Sequence, residues 1–120
     1  MTATLYAVLA LLPITLQIAL MLGAPLGRFS VGGRFPHRLP PLWRVLAGVQ
    51  ALVLASMAAA VLDRGGVIAL GWPPVAFWLA VAATILSGLA NAASPSRPER
   101  LLWTPVTALM ALAALSTALS

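Results

Sequence analysis

The chain has 120 residues, of which 62% are hydrophobic and 8% charged, with a mean hydropathy of +1.03. So few charges cannot cover a water-soluble domain of this size, so lipid must solvate most of the surface. The net charge of +5 comes from seven arginines, with no lysine, against two carboxylates. Arginines beside apolar segments serve topology and anionic headgroups, which excludes a nucleic-acid partner for a chain with no soluble groove-bearing domain. The lack of cysteine excludes disulfides, iron–sulfur clusters, thiolate zinc and quinone-linked disulfide exchange.

Four apolar stretches follow one another at about 2–22, 42–62, 72–91 and 101–119. Each is about 20 residues long, enough at ~1.5 Å rise per residue to cross a ~30 Å hydrocarbon core. Apolar residues run continuously instead of alternating, which excludes a transmembrane β-barrel. The predicted fold is an all-α membrane protein, a four-transmembrane-helix bundle forming a single domain over residues 1–120.

The first stretch lacks a basic leader and a small-x-small cleavage signature, so it reads as a retained helix with a translocated N-terminus. Pro13 near its middle removes one N–H and is expected to weaken the bond to the Leu9 carbonyl. Arg28, Arg34, Arg38 and Arg44 follow it, within or just after a connection holding four glycines and four prolines in Gly23–Pro41. That composition forbids a long helix, while Phe29, Val31, Phe35 and Leu39 make it too apolar for a free linker. An ordered turn structure or short hairpin against the membrane face is expected, with Pro40-Pro41 opening the second helix.

The second helix carries Ala47, Ala51, Ala55 and Ala59 at a four-residue spacing, a stripe suited to close packing at the bundle centre or a dimer face. The next gap is expected to hold Asp63 and Arg64, and Pro73-Pro74 to open the third helix. Arg97 and Arg100 follow that helix, with Ser94 or Ser96 available as a cap for the fourth. Trp43 and Trp103 read as markers of one membrane interface and Trp72 of the other, with Trp78 deeper and packing. A 60-residue offset gives only eight identities, about the chance level for this composition, so there is no internal repeat.

The first and third connections must emerge on one side and together carry most of the arginine. The positive-inside rule places both in the cytoplasm and both termini outside, in a multi-pass membrane protein.

Chemistry-bearing residues are few. Gln17, Gln50 and Asn91 fall inside the spans, all in the half nearer the arginines, where an amide layer would bind a polar solute or bond between helices. Glu99 is the one carboxylate on that side and is expected to pair with Arg44 or Arg38, tying the first connection to the third. The sharper reading of this cluster, which comprises Arg38, Arg44, Asn91, Ser94, Ser96, Glu99 and Arg100, is a site for a lipid phosphate or another anion. His37 has no second ligand at metal spacing. Asp63 and Glu99 are expected on opposite faces, so no catalytic residue, metal or cofactor is predicted.

The run Ser94-x-Ser96-x-x-Glu99-Arg100-x-x-Trp103-x-Pro105, with Gln17, the Gly23–Gly27 turn, Gly32-Gly33, Leu39-Pro40, Arg44 and Asn91, resembles a group of small, uncharacterised four-span bacterial integral membrane proteins. The likeness covers almost the whole chain. It departs at Thr104, where glycine is expected, and at Pro95 and Pro98. It implies no activity, and marks Arg44, Asn91, Ser94, Ser96, Glu99 and Arg100 as the place to look. Small multidrug exporters are of similar size, but the first helix here lacks their membrane-embedded glutamate. The pore motif of fluoride channels is likewise not visible.

These observations predict a non-enzymatic membrane protein whose cytoplasmic basic loops bind a protein partner or anionic lipid. The alternative is a small dimeric transporter or channel with a polar pathway at Gln17, Gln50 and Asn91.

Overall fold

The computed structural model describes residues 1–119. Among them, four α-helices follow in order: α1 (Thr2–Met21), α2 (Pro41–Arg64), α3 (Pro74–Ala92) and α4 (Arg97–Ala118). All four are long and apolar enough to cross a bilayer, as in a multi-pass membrane protein. α1 packs on α2 and α4, and α3 on α2 and α4, which makes a ring of four. Polar links fix the directions. Thr2 at the start of α1 bonds Thr117 at the end of α4, at 2.8 Å between hydroxyls. Arg44 at the start of α2 donates from Nε to the carbonyl of Met21 at the end of α1, at 3.0 Å. Neighbouring helices are therefore antiparallel.

The outer surface is leucine, valine and isoleucine: Leu11, Leu52, Leu79, Leu86 and Leu112 are all more than half exposed. In water such a coat would be an anomaly; in lipid it is the solvated face. Inside, small residues let the backbones approach. Ala3, Ala10, Ala80 and Ala114 are buried around Tyr6, Val61, Phe77 and Met110.

Helix ends differ from the expected boundaries in two places. Asp63 and Arg64 belong to the last turn of α2. A carboxylate there opposes the helix dipole, but Asp63 accepts N–H bonds from Leu70, Gly71 and Trp72 at 2.8, 3.2 and 3.1 Å. It thereby organises the following turn, while Arg64 lies over Phe77 and Trp78. The start of α4 is four residues earlier than Leu101, because Ser96 caps it by accepting the Glu99 N–H at 3.4 Å and Pro98 suits the first turn. The prolines at 41 and 74 open α2 and α3 as expected.

The alanine stripe of α2 does not stay on one face. Ala47 and Ala51 are buried, but Ala55 is exposed. Four residues turn a helix by about 400°, so such a row drifts ~40° per step and leaves the interface after two steps. The close approach to α1 comes from Gly48, where a Cβ would lie 2.6 Å from the sulfur of Met21.

The connection from α1 to α2 is ordered, as two 3₁₀ turns, Gly27–Phe29 and Val31–Gly33, in place of a hairpin. Leu26, Val31 and Phe35 pack on Leu20, Leu39 and Ala47 at the end of the bundle. Gly27 donates to the His37 carbonyl at 2.9 Å, and a Cβ on it would fall 1.7 Å from the Phe35 carbonyl oxygen. No other residue type fits there.

Candidate functional site

Beneath that connection the four helices line a partly open cavity of about 330 Å³, within the range of small-ligand sites. Every helix contributes polar atoms, α3 and α4 at turn-by-turn spacing. α4 supplies Glu99 and Thr107 with Trp103 between them, a four-residue row on one face. α3 supplies Thr84, Ser87 and Asn91, again one face, while α1 and α2 supply Gln17 and Gln50. Ser30 and Val31 form part of the roof. Val31 holds a φ of +52°, a strained value for a β-branched residue, at a position that lines the cavity.

The structure thus brings Gln17, Gln50, Asn91 and Glu99 together around one space. From Glu99 to Met110, the deepest lining residue on α4, is eleven residues, or ~16 Å of helix and about half a hydrocarbon core. Beyond it the bundle is closed by Tyr6, Phe77, Val81 and Val61, each at most 4% exposed. The cavity is a vestibule that runs from beneath the first connection to mid-depth.

Its hydrogen bonding has a definite polarity. Thr84 gives its only proton to the Ala80 carbonyl at 2.7 Å, so in its 2.6 Å contact with Tyr6 the phenol is the donor. Thr107 gives its proton to the Trp103 carbonyl at 2.6 Å, so Asn91 turns its amide nitrogen to Thr107 at 3.4 Å. That orientation leaves the Asn91 carbonyl oxygen as a free acceptor. Glu99 Oε2 is fully buried with no partner among the described residues, and the carboxylate makes no ion pair there.

The expected pairing of Glu99 with Arg44 or Arg38 is therefore not what forms. Arg44 reaches Met21, and Arg100 donates from Nη1 to the Ser94 carbonyl at 3.0 Å. Both find backbone carbonyls, Arg44 at the C-terminal end of α1, where the partial negative charge suits a guanidinium, and Arg100 in the turn between α3 and α4. Arg38 is exposed, and no arginine lines the cavity among the described residues. The first and third connections are tied, but by neutral bonds: Ser96 Oγ donates to the Arg28 carbonyl at 2.6 Å, and Trp103 Nε1 to the Phe29 carbonyl at 2.8 Å. Ser94 is buried and accepts the Ser96 N–H at 3.2 Å, shaping the turn that precedes α4.

Sequence reasoning placed Trp43 and Trp103 at the interface and did not see them as cavity walls. It also passed over Thr84, Ser87 and Thr107. The signal was present: Thr84-Ser87-Asn91 and Glu99-Trp103-Thr107 are polar or amphipathic rows at helical spacing within apolar spans. Among the described residues no group of three metal-ligating side chains occurs. No family model, curated protein or solved structure matches the chain.

Proposed function

We propose that this chain is a non-enzymatic, multi-pass protein of a bacterial cytoplasmic membrane, with both termini outside, that holds a small polar solute in the vestibule as a carrier or channel would. The observation that carries this reading is the convergence of Gln17, Gln50, Asn91 and an unpartnered Glu99 on one half-membrane-deep cavity. Intramembrane polar groups without mutual bonds are costly in lipid and mark solute pathways. The interhelical alternative would have the three amides bonded across helices; among the described residues only Asn91 makes such a bond, to Thr107.

The arginines have a complementary part. Arg28, Arg34, Arg38 and Arg97 are exposed at one end of the bundle, where anionic headgroups would hold them in the cytoplasmic leaflet. That supports the lipid-binding reading as anchorage, and the same exposed face is where a membrane partner or second copy would meet the chain.

The test is a stability screen of small polar solutes on the protein in nanodiscs, followed by uptake of the hits into proteoliposomes. Stabilisation and uptake are expected to disappear together in the Gln17→Leu/Asn91→Leu double variant. Hits whose effect persists in a folded double variant would place the solute elsewhere and end this reading. Reporter fusions at each terminus check orientation: activity of a cytoplasmic reporter at either end contradicts the proposed topology.

A further inference from the structure

Resting on the vestibule reading, we propose that its solute is a small monocation, a protonated amine with a short apolar body, held by Glu99. The cavity has one formal charge along its lining, and that charge is negative. Glu99 Oε2 is buried without a donor, which is costly for a carboxylate unless an occupant supplies one. The neutral groups deepen the preference. The protons of Thr84 and Thr107 are committed to backbone carbonyls, and one of the two Asn91 amide N–H groups is committed to Thr107. These three residues leave acceptor oxygens on the lining, the complement of an ammonium group that has three donors and no acceptor.

The walls choose the body of the ligand. Trp43 and Trp103 line the part beneath the first connection, where an indole adds attraction for a cation, and Leu54, Met57 and Met110 line the deeper part. A bare metal ion would need several oxygen ligands close together, and the cavity offers one carboxylate. An alkylammonium satisfies both the Glu99 end and the apolar depth.

The nearby arginines do not reverse this. Arg44 and Arg100 are held on the carbonyls of Met21 and Ser94 and do not line the cavity. The exposed arginines act through solvent and headgroups, where charge is screened over ~8 Å at physiological salt.

The experiment is calorimetric titration of the protein in nanodiscs with butylammonium, 1-butanol and butyrate, with empty nanodiscs subtracted. Butylammonium is expected to bind about tenfold or more tightly than the other two, the scale of a charge-assisted hydrogen bond. Glu99→Gln, which keeps the shape and loses the charge, is expected to bring butylammonium to the level of the alcohol. Equal binding of the three probes, a preference for butyrate, or an ammonium preference that survives Glu99→Gln overturns the inference. If that variant does not fold, the order of the probes on the native protein decides alone. Saturable but charge-indifferent binding that Gln17→Leu/Asn91→Leu removes would leave the vestibule reading standing without the cation. No saturable binding of any probe would remove both.

Discussion

The indole N–H of Trp103 donates to the carbonyl of Phe29 at 2.8 Å, joining the second turn of α4 to the connection that roofs the cavity. Ser96 makes a parallel tie to the neighbouring carbonyl, that of Arg28, at 2.6 Å. Trp103→Phe keeps the ring and removes the donor. It should cost about 1 kcal/mol, the net worth of one such bond, and speed amide exchange in residues 26–35 without disturbing the spans. Adding Ser96→Ala should release the segment further, since the two ties hold adjacent residues of one connection. Exchange in that stretch no faster in the double variant than in the native protein would show that apolar packing alone fixes the roof.

Two glycines separate space from backbone conformation. Gly27 must be glycine because a Cβ would strike the Phe35 carbonyl, whereas Gly66, at φ +75°, has nothing within 4 Å of a built Cβ. Gly27→Ala should therefore cost ~2–4 kcal/mol, breaking the turn to His37, and Gly66→Ala only ~1 kcal/mol of left-handed strain. Unfolding in mixed micelles measures both. Similar losses at the two positions would mean that the roof turn relaxes freely.

The helices were legible because hydropathy and length alone dictate them in lipid, and the proline pairs at 40–41 and 73–74 marked two starts well. The layer of Gln17, Gln50 and Asn91 was also legible, from depth counted along each span. Glu99 was not. In sequence it sits among arginines, and charge proximity along a chain suggests a pair. The cap at Ser96 instead begins the helix early and turns position 99 onto the same face as Trp103 and Thr107, toward the cavity, while Arg100, one residue or ~100° on, faces away. Arg44 and Arg100 then find the backbone carbonyls of Met21 and Ser94, which no composition argument reveals. The walls of the cavity were hidden for a related reason: a tryptophan near a span end is an interfacial anchor by default, and only the folded first connection covers Trp103.

At the opposite end, Asp63 gathers the N–H groups of Leu70, Gly71 and Trp72. Asp63→Ala leaves three exposed donors to water and should destabilise by ~1–2 kcal/mol, with faster exchange confined to residues 65–73. Asp63→Asn, which keeps one acceptor oxygen, should fall between. The cavity is far from this turn, so solute binding should be unchanged in both variants. A loss of binding with Asp63→Asn at native stability would join the two ends of the bundle functionally, contrary to the separation drawn here.

Tyr6 is 0% exposed and donates to Thr84, a residue whose other side lines the cavity. This contact is the last polar layer before the sealed half of the bundle, so Tyr6 is where a carrier or channel would hold its far gate closed. Tyr6→Phe removes the phenol but leaves Thr84 its bond to Ala80, so no buried donor is stranded; the cost should be within ~0.6–2 kcal/mol. Tyr6→Ala empties the whole ring volume and should cost ~3–5 kcal/mol while extending the vestibule toward the far side. Proteoliposomes of the alanine variant, assayed at a temperature where it remains folded, should leak small polar solutes that the native protein retains, and the phenylalanine variant should leak little. If the folded alanine variant stays tight, the barrier lies in the surrounding Phe77, Val81 and Val61 packing, and Tyr6 is a structural residue of the core.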